Sequence, residues 1–257
     1  MIDKHNNEDF KKKIQEHFDK QQLKFNLDDF VPFSINKYLR SPFEYIQDNY
    51  CRNLNDKKIL DYCCGSGLNS VFLSKMGAKV IGIDISKQSI EVAKKRFENH
   101  KLKNFDFFQM DAHSLNFKDN YFDIIVCYKS FLYLNLDKAF KELNRVLKHN
   151  GKLIILENIG DNFVFNYYRF LKHILKSRKY SYELNKLKST DLNISYNYFN
   201  TYETVYFDFF SIFGKLIEDI FKISISKKLL YSLDVLMFRK LKFKFLAFTV
   251  VKILIKK

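Results

Sequence analysis

Three carboxylates and two glycines hold the most specific chemistry in this chain. Asp61 closes an apolar run, "KKILDY", and Gly65 and Gly67 follow in "CCGSGLNSVFL". Asp84 closes a second run, "AKVIGID", and Asp111 follows a third, "NFDFFQM". A glycine-bearing turn between strand and helix lets backbone approach a ligand, and the helix start offers unpaired N–H groups. Asp84 stands 19 positions after Gly65, the spacing of an acid that accepts hydrogen bonds from the two hydroxyls of a ribose. The layout is that of a nucleoside site.

The pattern departs from that of a dinucleotide site. That fingerprint wants a third glycine where this chain has Ser70, and an acid at position 61 would repel a pyrophosphate. Asp61 suits a cation, such as the ammonium of a methionine tail. The adjacent Cys63 and Cys64 would need a basic neighbour and a lowered pKa to act as nucleophiles, and their flanking sequence offers none. None of the four cysteines follows a proline. They read as small packing residues behind the ligand, with Cys63 in ordinary backbone conformation.

These residues need strands to carry them. Between 57 and 158, apolar runs alternate with helical stretches: "KKILDYC", "AKVIGIDIS", "NFDFFQMD", "YFDIIVCY" and "GKLIILEN" as strands, with "LNSVFLSKMG", "SKQSIEVAKKRFENH" and "LDKAFKELNRVLKHNG" between them. Ser86 is placed as an N-cap, and the third of these helices is expected to stop at Gly151. Such alternation predicts an α/β, doubly wound, mostly parallel sheet. Residues 1–56 read as a helical cap, with Ser41 as an N-cap and Pro42 at the first helical position. In residues 159–257, "NFVFNYYRFLKHILKSRKYSYEL" reads as helix and "LNISYNYFNTYE" as strand. "FFSIFGKLIEDIFKI" and "KKLLYSLDVLMFRKL" read as helices, and "KFLAFTVVKILIKK" as a sheet-closing strand. No Pro/Gly/Ser linker separates this part, so it reads as a substrate cap on the same domain.

In order and spacing, "LDYCCGSG", "VIGIDIS", "MDAHSL", "FDIIVCYKSFLYL" and "LNRVLKHNGKLIILE" resemble the class I S-adenosylmethionine-dependent methyltransferases, the small-molecule and quinone-biosynthesis subgroup in particular. The resemblance covers residues 57–158 and implies a seven-stranded Rossmann-like sheet with S-adenosylmethionine as cofactor. It implies that Asp61 and the Gly65–Gly67 backbone hold the methionine part and that Asp84 binds the ribose. Ile85 would pack on the adenine, Asp111 would reach its exocyclic amine, and the Ala112 N–H its ring. Tyr128 would line the sulfonium region. Two positions depart from the family pattern: Cys63 replaces its first glycine, and "HNG" replaces the proline-glycine turn before the fifth strand.

A methyl on a sulfonium is already activated, so transfer is an in-line displacement in which alignment alone can supply ~7–11 kcal/mol. Phe131 and Tyr133 follow the fourth strand where an acceptor should enter, Phe131 as core and Tyr133 as a candidate contact. A hydroxyl acceptor would benefit from a base. His173, in the aromatic stretch expected to cover the site, is the candidate; His113 falls on the adenine side and His149 in a remote turn. Both prolines, Pro32 and Pro42, lie upstream of the fourth strand, which argues against the D/N-P-P-Y loop of amino-base methylation. "CYKSFLYLN" lacks the acids of a metal-dependent catechol site.

The net charge is +15, from 37 lysines and only 7 arginines. This looks like composition bias more than a phosphate-reading surface, where arginine is the better ligand, so nucleic acid is not expected. Residues 158–257 carry 18 basic and 8 acidic side chains among many Phe and Tyr. That half suggests a small hydrophobic or lipid-linked acceptor and peripheral contact with an anionic membrane. Its resemblance to the C-terminal extensions of class I enzymes that act on glycans and lipids implies a lipid- or glycan-linked acceptor methylated on O or N. The bland alternative is solvated lysines outside a pocket cap. With a polar start, no apolar run of spanning length and sparse cysteine, the expected location is cytoplasmic. Two other readings stay open: a noncatalytic or RNA-directed protein on this fold, and a nicotinamide-dependent oxidoreductase.

Overall fold

The computed structural model describes residues 8–22, 41–164, 166–167 and 187–257. Two N-terminal helices, α1 (Glu8–Gln22) and α2 (Ser41–Tyr50), precede the alternating core. That core is β1 (Lys58–Tyr62), α3 (Leu68–Lys75), β2 (Lys79–Asp84), α4 (Lys87–Asn99), β3 (Phe105–Gln109), β4 (Phe122–Tyr128), α5 (Leu136–Val146) and β5 (Leu147–Asn158). It is followed by β6 (Phe199–Phe207), α6 (Phe210–Phe221), α7 (Lys227–Val235) and β7 (Thr249–Lys256).

The seven strands form one sheet in the order β3-β2-β1-β4-β5-β7-β6, with the first five parallel and β7 antiparallel to both neighbours. Each central strand is apolar on both sides, as a sheet covered on both faces requires. Ile59, Val80, Val126 and Ile154 pack with Phe43 and Ile46 of α2 and Leu73 of α3. Their sequence neighbours Leu60, Ile81, Ile125 and Ile155 pack with Phe140 and Leu143 of α5. Strand order reverses between β1 and β4, so the tips of β1, β2, β3 and β4 open beside a topological switch point, the usual place for a ligand in such sheets.

Three sequence expectations need correction. The helix expected to run to Gly151 ends at Val146. Leu147 turns to extended backbone and pairs with Phe122 as the first residue of β5, and the ladder resumes only at Lys152 opposite Ile124. Asn150, at φ 61°, turns the extra residues outward. In "LNISYNYFNTYE", Asp191–Asn197 is a 3-10 helix and β6 begins at Phe199. Leu192 and Ser195 are the buried pair there, a spacing of three rather than two, and the Asp191 carboxylate accepts the Lys188 N–H to start the turn. The closing strand forms as expected, and its interior place between β5 and β6 explains why six of its eight residues are buried. Ser41 lies within α2, so Pro42 is its second residue, where a missing N–H is still harmless. The Ser86 cap of α4 is as expected: its hydroxyl accepts the Ser89 N–H. Most of "NFVFNYYRFLKHILKSRKYSYEL" lies outside the described residues.

Phe140 joins α5 to the sheet, fully buried, with ring centroids 5.0 Å from Phe131 and 6.1 Å from Phe199. Phe140→Ala should lower the unfolding free energy by about 3–5 kcal/mol in denaturant titrations.

Candidate functional site

The loop after β1 enters left-handed backbone at three alternate positions: Cys63 at φ 59°, Gly65 at 53° and Gly67 at 72°. The expectation of ordinary backbone at Cys63 is therefore wrong. A residue with a side chain stands where the backbone favours glycine, at a cost of about 1–2 kcal/mol. Surrounding bonds over-determine the loop. The Cys64 N–H donates to Ile83 O at 2.8 Å, and the Gly67 N–H to Cys64 O at 3.1 Å. From beneath, the fully buried Arg96 of α4 donates Nε–H to Ser66 O at 3.0 Å. The two glycines differ in what they permit. A Cβ on Gly67 would sit 2.8 Å from Ala93 Cβ, whereas one on Gly65 would meet nothing within 4 Å.

Gly65 is open because it borders a cavity of about 350 Å³, within the size range of small-molecule sites. Its floor is the loop Cys63–Ser66, with Leu68 and Asn69. One side is Asp84–Ile85 and Asp111–His113, the other Tyr128–Ser130, Tyr133 and Leu134. Its roof is Phe10, Lys11, Ile14 and Phe18 of α1. The structure thus brings Gly65, Asp84, Ile85, Asp111, Ala112, Tyr128 and Tyr133 to one cavity. Asp61 and Gly67 do not border it. Asp61 is 1% exposed behind the loop, where it accepts the Ser70 hydroxyl. Phe131 is core, packed between Tyr62 and Phe140. His173 lies outside the described residues, and His149 lines a separate cleft with Lys57 and Asp123.

The two acids of the wall are in different electrostatic states. Asp84, 9% exposed, accepts the Gly65 N–H through Oδ2 and the Ser86 N–H through Oδ1, both at 2.9 Å. Burial raises its pKa, partly offset by those bonds. Asp111 is held well below the usual carboxylate range, first by its hydrogen bond from His113 and then by Lys11. Its Oδ1 takes both the N–H and Nδ1 of His113, and its Oδ2 takes Lys11 Nζ at 2.8 Å. His113 Nε2 accepts the Asn135 N–H at 2.9 Å, so the ring proton sits on Nδ1 and both nitrogens are committed. His113 is a strut, not a base. The Tyr62 hydroxyl fixes the same corner by donating to Ala112 O at 2.6 Å.

Cys63 and Cys64 line the cavity rather than sitting behind it. Burial holds both thiols well above their ordinary pKa, which removes a thiolate nucleophile. Among the described residues no group of acids, histidines and cysteines could hold a metal ion.

Several wall-forming residues escape a reading by motif. The roof was visible as Phe10, Ile14 and Phe18, spaced four apart along one helical face. Lys129 borders the cavity in left-handed backbone at φ 58°, and burial lowers its pKa. Behind it Glu157, 2% exposed at the end of β5, accepts the Ser130 N–H at 2.6 Å and the Phe131 N–H at 2.8 Å. No sequence signal marks this pairing of a β5 acid with the turn after β4.

Residues 60–155 match the model of a family described as a methyltransferase domain. The chain is 35% identical to a ubiquinone biosynthesis O-methyltransferase of Pelagibacter ubique, over 60% of this chain and 64% of that one. It is 28% identical to a ubiquinone/menaquinone biosynthesis C-methyltransferase of Wigglesworthia glossinidia brevipalpis, over 66% and 73%. An uncharacterized methyltransferase of Bacillus subtilis is 33% identical over 40% of this chain and 41% of its own length. The chain thus spans between 41% and 73% of these curated relatives. A solved geranyl diphosphate C-methyltransferase of Streptomyces coelicolor A3(2) shares the fold, with a TM-score of 0.66 at 14% identity over 96% of this chain and 98% of that one.

Gly67→Ala should destabilise the chain by about 2 kcal/mol or more, from strain and the Ala93 clash together, while Gly65→Ala should cost only about 1 kcal/mol; thermal melts of both variants distinguish them. Burial pushes the carboxyls of Asp61, Glu157 and Asp208 up to about 7. A raised folded pKa gives stability that is complete below the unfolded carboxylate range and is lost as pH rises through 7. The ligand-free chain should therefore melt higher at pH 5.5 than at 7.5, and Asp61→Asn should narrow that difference.

Proposed function

We propose that residues 60–155, which match a methyltransferase domain, act as a class I S-adenosylmethionine-dependent methyltransferase, and that the chain transfers the cofactor's methyl group to an oxygen or nitrogen of a small, apolar, lipid-like acceptor. One observation carries the reading: carboxylates at the tips of β2 and β3 flank a cavity whose floor, at Gly65, has no side chain and room for ligand. The donor set fits an amino-acid–adenosine conjugate.

Asp84 keeps lone pairs after its two backbone bonds, enough to accept both ribose hydroxyls. Ile85 packs on the adenine, and Asp111 with Ala112 reads its edge. The backbone from Gly65 to Gly67 receives the methionine end. Asp61 acts there from behind, as the anchor of Ser70, because it does not reach the cavity. Tyr128 presents a ring near the cationic sulfur, a favourable neighbour for positive charge. When bound, the cofactor supplies a methyl already activated on a sulfonium.

The acceptor enters between Tyr133 and the α1 roof, where the Phe18 and Tyr133 rings meet edge to face at 5.3 Å. Phe10, Ile14 and Leu134 make this part of the wall apolar. The relatives' names point to acceptors of the same character: quinones, a sterol and geranyl diphosphate. With His113 committed on both nitrogens, Lys129 is the candidate to take the proton of a hydroxyl acceptor, since burial eases its deprotonation. An acceptor of this kind resides in membranes, so the enzyme works from the cytoplasm at a membrane face.

Calorimetric titration separates this reading from its rivals. S-adenosylhomocysteine should bind and NADH should not, and Asp84→Asn should weaken the former at least about tenfold through loss of charge-assisted hydrogen bonds. Unchanged affinity in the variant would remove Asp84 from the site. Incubation with methyl-labelled cofactor and fractionated cell lipid should transfer label to an organic-soluble compound; label in RNA instead would favour the RNA-directed reading.

A further inference from the structure

Between Phe221 and Phe245 the chain carries seven basic residues and one acid, Asp234. That acid is buried, its carboxylate accepting the Phe209 and Phe210 N–H groups and the Ser211 hydroxyl at the start of α6. No exposed negative charge therefore remains in the segment. Over residues 240–245 its exposed positions are basic and apolar in alternation. Leu241, Phe243 and Phe245 are 55%, 43% and 52% exposed, each preceded by an exposed lysine, Lys240, Lys242 and Lys244. Phe221, Ile223 and Leu229 add more exposed apolar surface in the same segment. Large apolar side chains left in water in this number mark an interaction surface.

Its place in the fold is informative. Phe207, the last residue of β6, pairs with Thr249, the first of β7, and Thr249 also pairs with Asn158, the last of β5. The segment between β6 and β7 thus leaves and re-enters at the sheet end where β4 delivers Tyr128 to the cavity. Asn162 reaches across to bond Leu246 O, and the Ile159 N–H donates to Phe248 O.

Resting on the reading of a lipid-like acceptor, we infer that residues 221–245 are a docking surface for an anionic lipid bilayer, which sets the cavity mouth against the membrane holding the acceptor. Phenylalanine and leucine enter the headgroup boundary while lysines face acidic headgroups, the pairing of an interfacial anchor. Contact is peripheral: no described helix is long and apolar enough to cross a membrane. Charge selects the bilayer over a second copy of this chain, because a two-fold contact would set the same lysines against each other. It also selects against a nucleic acid, which has no use for Leu241 and Leu236 beside its phosphates.

The test is flotation of the full chain with vesicles of phosphatidylcholine alone or mixed with phosphatidylglycerol. The expected result is flotation with the anionic vesicles only, weakened at high salt. The double variant Phe243→Glu/Phe245→Glu and the triple variant Lys240→Glu/Lys242→Glu/Lys244→Glu should each reduce bound protein about tenfold or more. Neither touches the cavity, so circular dichroism and affinity for S-adenosylhomocysteine should be unchanged. No flotation, flotation indifferent to both variants, or variants that change only the sedimentation of a dimer would overturn the docking surface while leaving the methyltransferase reading intact. Loss of S-adenosylhomocysteine binding by the unsubstituted chain would instead strike at that reading.

Discussion

The Asp84 carboxylate receives the Gly65 N–H through one oxygen and the Ser86 N–H through the other, and so joins the tip of β2 to the loop after β1 and to the start of α4. That loop has three left-handed residues, one of them a cysteine, and it would not hold its shape unaided. Arg96 from below, Ile83 from the neighbouring strand and Ser70 on Asp61 supply the remaining ties. The cost of burying these charges and strained peptides is met by packing elsewhere in the core. The gain is a floor already in its binding shape, so that little ordering remains to be done when a ligand arrives.

Above that floor, polar contacts tie α1 near both ends while its apolar face covers the cavity. Lys11 bridges to Asp111, and Asp19 accepts from the Ser86 hydroxyl and the Gln88 N–H. From Asp111 a line of hydrogen bonds continues through His113 to Asn135, whose side chain caps α5 by accepting the Lys138 N–H. Partly exposed ion pairs of the Lys11–Asp111 type contribute only about 0–1 kcal/mol. That bridge therefore adds little to holding the roof, whose apolar side chains lie over the cavity.

The parallel core was legible because strands covered on both faces leave near-continuous apolar runs, and because Ser86, Asp84 and Asp111 sit where strand and helix boundaries announce themselves. Backbone conformation was not legible: nothing in the type of Cys63 signals a positive φ, and its neighbours alone impose it. Arg96 reads as one more basic residue on a lysine-rich helix, and only burial against Ser66 O shows its role. Leu147 continues a helical pattern to the eye, yet pairing with Phe122 outbids the helix. The 3-10 turn at Asp191–Asn197 was lost for the same reason, since its polar and apolar residues fit two periods and tertiary contacts decide between them. Phe10, Ile14 and Phe18 were present as a stripe, but a stripe does not say what it covers.

The interior position of β7 has a bearing on how the chain reaches this state. As the polypeptide emerges from the ribosome, β1 to β5 can associate early, but the outer rim of β5 and the whole of β6 stay without their shared partner until Thr249–Lys256 has been made. An open, apolar strand rim is a template for intermolecular pairing. Synthesis therefore includes an interval of exposure that lasts until β7 is made and pairs with both neighbours.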